Sequence, residues 1–391
     1  MVATDDAHRV TSAELFFDLV FVYAITQVTA LMAHHTSAEL MLGGFVVLAL
    51  LWWCWCCFSW LGNVVRADSG AMFGVLVAVM AVVLVVSLTV PEVFEDKSGG
   101  LYGPLVFVVC YGAVRLLHLA TYWVSDPDDQ ALHATIRRTA MLSVAPPFVL
   151  LLVGSFFTGL TQILIWLAAV VVDYSGIYIT GSKGWRVASP GHFAERHGLI
   201  VIIALGESIV AIGVGVAAEA ISVPVIVAAA TGLLVVAGLW RLYFQELSER
   251  AEHAMSALTG DARTVIARDT YTFLHLPLVA GVVFAALGMK KALHQIADNE
   301  HYALTEPLHG LVAWSLTGGV GVFLLGAAAI LWRVGRRPSW VLVAGGLGCL
   351  AAGALVVVVP ALAALGLLAA AVLAVVLLQG RSGRRAAPVE A

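Results

Sequence analysis

Windows of about twenty apolar residues recur along almost the whole of this chain, each long enough to cross roughly 30 Å of hydrocarbon as a helix. About twelve are readable, at 14–33, 39–61, 71–94, 102–124, 136–157, 159–180, 197–218, 221–244, 270–290, 306–332, 339–359 and 361–378, with the last two divided at Pro360. The chain has 391 residues, 61% of them hydrophobic and only 12% charged, and a mean hydropathy of +0.96. That composition excludes an ordinary soluble globular protein. The expected fold is all-α, a polytopic membrane bundle of about twelve transmembrane helices.

The N-terminus lacks a basic region followed by a short apolar core and a small-residue cleavage site, so the first span is expected to be retained. Of the 21 lysines and arginines, all but Lys97, Lys290, Lys291 and the intramembrane Arg115 sort to one side, together with both termini. The positive-inside rule makes that side the cytoplasm and predicts an even number of spans. Neither a basic tail nor a nucleic-acid motif is present. The five cysteines, Cys54, Cys56, Cys57, Cys110 and Cys349, lie within spans and read as helix filler rather than disulfide or zinc ligands. No cofactor is expected, and the natural partners are membrane lipids and a small cation or proton.

A long self-similarity appears when the chain is cut near residue 190. SAELFFDLVFVYAITQV and FAERHGLIVIIALGESIV both open with Ala-Glu and carry polar residues farther in. LLWWCWCCF pairs with GLWRLYF, and GPLVF with EPLHG. These matches predict two six-helix halves in tandem, 1–190 and 191–380, followed by a cytoplasmic tail at 381–391. An even number of spans per half gives both the same topology. A pathway then falls most naturally between the halves, lined by the first and seventh spans. The longest polar stretch, 245–269, is expected to form a cytoplasmic amphipathic helix.

Ionised groups inside a membrane are expensive, so each needs a partner, water or a proton. Glu14 and Asp18 are four apart and share a helical face. Candidate partners at similar depth are Arg115 and His118 of the fourth span, Asp173 of the sixth, and Glu195 and Arg196 at the start of the seventh. Arg115 is the basic partner expected for Asp18. The bland alternative is a structural network in which Asp18, Arg115 and Asp173 neutralise one another. Glu207, followed by Ser208, lies deepest and has no obvious basic neighbour in the sequence. A buried acid of that kind points to a proton or ion path. His275, ahead of Pro277, reads as a packing histidine bonded to a carbonyl, and Trp52, Trp53, Trp55 and Trp60 read as an aromatic stripe and interface belt. Nucleophile-elbow, HExxH and Walker patterns are all missing.

ELFFDLVFVYAITQV, AERHGLIVIIALGES and DYSGIY resemble the bacterial low temperature requirement protein A family (LtrA), over about residues 9–335. The resemblance implies a multi-pass membrane protein and supplies no catalytic mechanism. An N-R-x-D type segment expected after the second span appears as NVVRADSG, with Asn63, Arg66 and Asp68 offset. More distantly, FFDLVFVYAIT is similar to the F-S-D motif of the two-repeat, twelve-helix endolysosomal and bacterial potassium channels. That similarity matches Phe16, Phe17 and Asp18 to F-S-D and implies a pore-lining place for Ile25, whereas the seventh span lacks the motif. The leading expectation is a transporter or channel-like protein whose ion, proton or substrate path includes Glu207, Asp18, Glu14, Ser208 and Ile25, with Arg115, His118, Asp173, Glu195 and Arg196 in support. The alternatives are a lipid-sensing or scaffolding protein, or an intramembrane enzyme acting on a lipid or isoprenoid.

Overall fold

A computed structural model describes residues 9–68, 70–182 and 184–386. Twelve apolar helices follow one another: α1 Ser12–His34, α2 Ala38–Gly62, α3 Gly70–Glu92, α4 Gly103–Ser125, α5 Gln130–Gly154, α6 Gly159–Thr180, α7 Pro190–Val216, α8 Val223–Ser256, α9 Gly260–Ala297, α10 Gly310–Gly335, α11 Trp340–Val356 and α12 Ala361–Arg381. Eleven have the length and composition of a membrane span. The exception, α11, stops four residues before Pro360 and is 17 residues long, about 25 Å. All-helical structure is what a bilayer demands of a chain this apolar, because a helix satisfies its own backbone hydrogen bonds.

Side-chain oxygens start several of these helices. Ser37, Asp129, Ser222 and Ser339 each accept from the backbone N–H three residues on. Thr11 and Glu14 form a reciprocal capping box at the start of α1. Prolines disturb two spans. In α5 a π-helical turn at Ala140–Val144 precedes Pro146 and Pro147, and in α9 one at Arg268–Phe273 precedes Pro277. Proline has no N–H to give the carbonyl four residues earlier, so the chain widens locally and releases carbonyls to other donors. A third π turn, Tyr243–Leu247, lies in α8.

The amphipathic helix expected over 245–269 is two helical stretches instead. One is the polar end of α8, through Ser256, and the other is the start of α9 at Gly260, whose φ of +56° makes the break.

Two compact units make up the chain. The first comprises Met1–Arg196 with Ser256–Ala267, and the second His197–Met255 with Arg268–Ala391. In the first, Phe107 and Trp166 stack at 5.1 Å, and Trp166 Nε1–H donates to the Leu151 carbonyl, which also accepts the Ser155 N–H near the end of α5. Burial along α1 follows the helical period: Glu14, Phe17, Asp18, Phe21, Ala24, Ile25 and Val28 face inward, while Leu15, Phe16 and Leu19 face outward. In the second unit α9 and α10 meet through glycines. A Cβ on Gly281 would lie 2.6 Å from the Gly319 carbonyl oxygen. Lipid tails are as apolar as leucine, so close backbone approach and dispersion hold such a pair.

Candidate functional site: a polar ladder on α1 and α7

Glu14 begins as a helix cap. Its Oε2 accepts from the Thr11 N–H at 2.9 Å and from the Thr11 hydroxyl at 3.0 Å, while Thr11 Oγ1 accepts from the Glu14 N–H. The same carboxylate also receives His192 of α7, whose Nε2 lies 3.0 Å from Oε1 and 3.1 Å from Oε2. Asn63, just past the end of α2, sets the tautomer of that histidine. Its Oδ1 accepts from the Ala188 and Ser189 N–H groups, which leaves its Nδ2 to donate to the Ser189 carbonyl at 2.7 Å and to His192 Nδ1 at 3.2 Å. Nδ1 is therefore an acceptor, and the ring proton sits on Nε2, facing Glu14.

One turn deeper the arrangement repeats. Asp18 Oδ1 accepts from Arg196 Nη2 at 2.8 Å and from the Trp55 indole N–H at 2.9 Å. Both pairs are 178 residues apart in sequence. Steps of four on α1 therefore match steps of four on α7, and the first turns of the two helices run side by side in the same direction. The arginine head lies over aromatic faces, 5.6 Å from the Trp55 ring and 5.9 Å from the Phe17 ring.

How fully each ion pair is satisfied separates two classes. Arg115 and Asp173 are joined by two hydrogen bonds, at 2.5 and 3.2 Å. Tyr111 and Ser143 hydroxyls donate to the same carboxylate, and Arg115 Nη2 also reaches the Ser143 carbonyl at 3.1 Å. That carbonyl is the one Pro147 cannot serve, so the proline of α5 creates the acceptor that the arginine of α4 fills. A bidentate, almost fully bonded cluster of this kind holds α4, α5 and α6 together. The Asp18–Arg196 pair is as deeply buried, at 2% and 1% exposure, but touches through one atom of each. Asp18 Oδ2 and Arg196 Nε and Nη1 have no hydrogen-bond partner among the described residues. Unbonded buried polar atoms are costly, which makes this the less completely satisfied of the two buried ion pairs.

Several sequence expectations need correction. Asp18 is held by Arg196, and Arg115 is taken by Asp173, because depth alone leaves several partners open and packing selects among them. Glu195 is exposed and, among the described residues, accepts only from the Val10 N–H, one residue of rotation having turned it away from the face that carries Arg196. His118 does not join the acids. It packs among Phe58, Tyr122 and Trp185. Glu207 and Ser208 are buried residues of the second unit, at 5% and 1% exposure, and Glu207 is not without a partner. Ile25 is buried two turns beyond Asp18, on the same face of α1. Trp52, Trp53 and Trp55 are buried as well, so they are core rather than interface belt. His275 is the carbonyl-bonded histidine expected: Nδ1–H donates to the Thr270 carbonyl at 2.9 Å, and Nε2 accepts from the Tyr243 hydroxyl at 2.9 Å.

Thr11, Asn63, Trp55 and His192 are the site residues that sequence reasoning missed. Two of them left readable signals. TSAE at 11–14 has capping-box spacing, and the His-x-x-x-Arg of 192–196 repeats the Glu-x-x-x-Asp spacing of 14–18 with complementary chemistry. Asn63 stood out only as part of the offset N-R-x-D type segment and Trp55 only as part of the aromatic stripe, and neither signal pointed to its partner.

An uncharacterised protein of Rhizobium meliloti (strain 1021) is 27% identical over 349 residues, which cover 85% of this chain and 79% of that protein. No solved structure matches the chain. The sequence pattern of the bacterial low temperature requirement A proteins matches residues 9–377, a stretch containing the capping box, both acids of α1 and both bases of α7. The chain belongs to the bacterial low temperature requirement A protein (LtrA) family.

Proposed function

We propose that this membrane protein is a transporter or channel-like protein in which Asp18 binds and releases a proton. The observation that carries the reading is the half-made Asp18–Arg196 pair. A metal cation at Asp18 has to compete with a guanidinium already bonded to Oδ1, whereas a proton needs only the unbonded Oδ2. Protonation weakens the hold on Arg196 and frees its donors for a small polar solute, so the two events are coupled through one salt bridge. Glu207 and Ser208, about three turns farther along α7, extend the polar path in this reading. The tandem halves, 1–190 and 191–380, and the placement of both termini in the cytoplasm of a bacterium belong to the same proposal.

Proteoliposomes under an imposed pH gradient test it, with internal dye reporting protons. Wild type conducts or exchanges protons, Asp18→Asn loses that flux while keeping its folded elution profile, and Glu207→Gln is impaired. Absence of any wild-type proton flux, or full flux in Asp18→Asn, overturns the reading.

A further inference from the structure

The second unit carries a crevice of about 870 Å³, within the roughly 300–1,000 Å³ of small-molecule sites, and nothing in the proton reading uses it. It lies where α10 ends, α11 begins and α12 closes, against the polar continuation of α8. These are span ends, so the crevice opens at the level where hydrocarbon gives way to headgroups. Tryptophan marks that level twice. Trp332 in the last turn of α10 and Trp340 at the start of α11 are 63% and 72% exposed, as befits an amphipathic ring at a membrane surface.

Between the two tryptophans runs Arg333-Val-Gly-Arg-Arg-Pro-Ser339. Arg337 lines the crevice and makes no ion pair among the described residues. Arg250, from the polar end of α8, faces it and shares its guanidinium with Glu246 at 3.4 Å. Glu249, the opposing charge, and His253 line it from the same helix. Ser339 caps α11 by accepting the Leu342 N–H, which leaves the N–H groups of Trp340 and Val341, both lining the crevice, without an intrahelical partner. Those N–H groups and the positive end of α11 favour an anion.

A buried side chain gives the crevice its inner wall. Gln379 of α12 is only 4% exposed and lines the cavity. The Ser339 hydroxyl donates to its Oε1 at 2.7 Å, which turns the amide so that Nε2 is presented as a donor, and Nε2 has no hydrogen bond among the described residues. Around Ser339 the uncommitted groups donate: Arg337, two backbone N–H groups and an amide, while Glu249 and His253 belong to the α8 side of the lining. Leu331, Val334 and Val341 supply apolar wall beside them.

We propose that this crevice binds the phosphodiester of an anionic phospholipid headgroup, with Arg337, the first turn of α11 and Gln379 on the phosphate and Arg250 at its edge. A phosphodiester offers only acceptors, which matches the donors gathered around Ser339, and a lipid reaches a cavity at span ends by lateral diffusion. The exposed tryptophans and apolar wall favour a lipid over a free phosphate, since only a lipid brings glycerol and acyl carbon to meet them.

Native mass spectrometry of the full chain in detergent tests this, with phosphatidylglycerol, phosphatidylcholine and inorganic phosphate as separate probes. Wild type retains phosphatidylglycerol in preference to phosphatidylcholine. Arg337→Ala and Arg250→Ala each reduce retention about fivefold, the usual effect of one basic residue at a lipid surface. Gln379→Leu reduces it with no change of charge, and Arg138→Ala, an exposed arginine elsewhere, leaves it unchanged. Equal retention of the two lipids, or an Arg138→Ala loss matching that of Arg337→Ala, reduces the effect to unspecific surface charge and overturns the proposal. Displacement of phosphatidylglycerol by equimolar inorganic phosphate assigns the site to the free ion and overturns the lipid source. Proton flux is read separately, so failure of one assay leaves the other standing.

Discussion

Arg196 meets Asp18 through a single nitrogen, 2.8 Å from one carboxylate oxygen, and the second oxygen is left without a hydrogen bond in a site almost sealed from solvent. Bidentate bonding is available to such a pair, as Arg115 and Asp173 demonstrate in the same unit, where only Nε of the guanidinium lacks a partner among the described residues.

That contrast predicts different costs for matched substitutions. Asp173→Asn leaves the buried Arg115 without its charge partner, so it destabilises the folded protein by about 3–5 kcal/mol. Asp18→Asn costs less, because the amide oxygen still accepts from Trp55 and Arg196 already lacks part of its bonding. Denaturant unfolding in detergent, followed by tryptophan fluorescence, measures both. A larger loss for Asp18→Asn means the pair is principally structural.

Coupling between the two partners is the next expectation. Arg196→Gln and Asp18→Asn each disturb the same bond, so the double variant loses about 1–3 kcal/mol less than the sum of the singles. A strictly additive result in the same unfolding assay means the contact carries no interaction energy.

The hydrogen-bond pattern around Asn63 places the proton of His192 on Nε2. Imidazole ¹⁵N shifts of the labelled protein read this directly, with a protonated Nε2 and an unprotonated Nδ1. Asn63→Ala removes the bonds that tie α2 to the Ala188–Ser189 turn and to His192, and destabilises by about 2–3 kcal/mol. An Nδ1–H tautomer in the wild type contradicts the assigned network.

Capping is separable from the ladder. Thr11→Ala removes the cap of α1 and costs about 1 kcal/mol, while leaving His192 bonded to Glu14. The histidine ¹⁵N spectrum is then unchanged, and a shift in it shows that cap and ladder act as one unit.

In the second unit, Gly281→Val drives side-chain carbon into the Gly319 carbonyl and costs about 1–3 kcal/mol or more. Gly74→Ala, where an added Cβ meets nothing within 4 Å, is neutral or slightly stabilising. Thermal aggregation midpoints in detergent rank the two, and equal midpoints refute close packing of α9 on α10.

Much of the site was half-legible. Glu14 and Asp18 announce themselves by being charged in an apolar run, and their spacing of four puts them on one face whatever surrounds them. Their partners do not follow from that. Arg115, His118 and Arg196 all offered positive or polar groups at similar depth and all three are buried, so the packing of the helices decided which of them came within bonding distance of Asp18. The two prolines of α5 are visible in the sequence, but the carbonyl they release matters only because Arg115 of another helix arrives beside it.

What the sequence by itself determined is the set of twelve apolar helices and many of their ends, because bilayer thickness, backbone hydrogen bonding and capping are local demands that each segment meets alone. Tertiary structure alone decided that Glu14 meets His192 and Asp18 meets Arg196, and that one buried ion pair is closed while the other stays half open. Contacts between residues 178 apart depend on which small side chains let two helices approach and at what rotation, and no single helix carries that information.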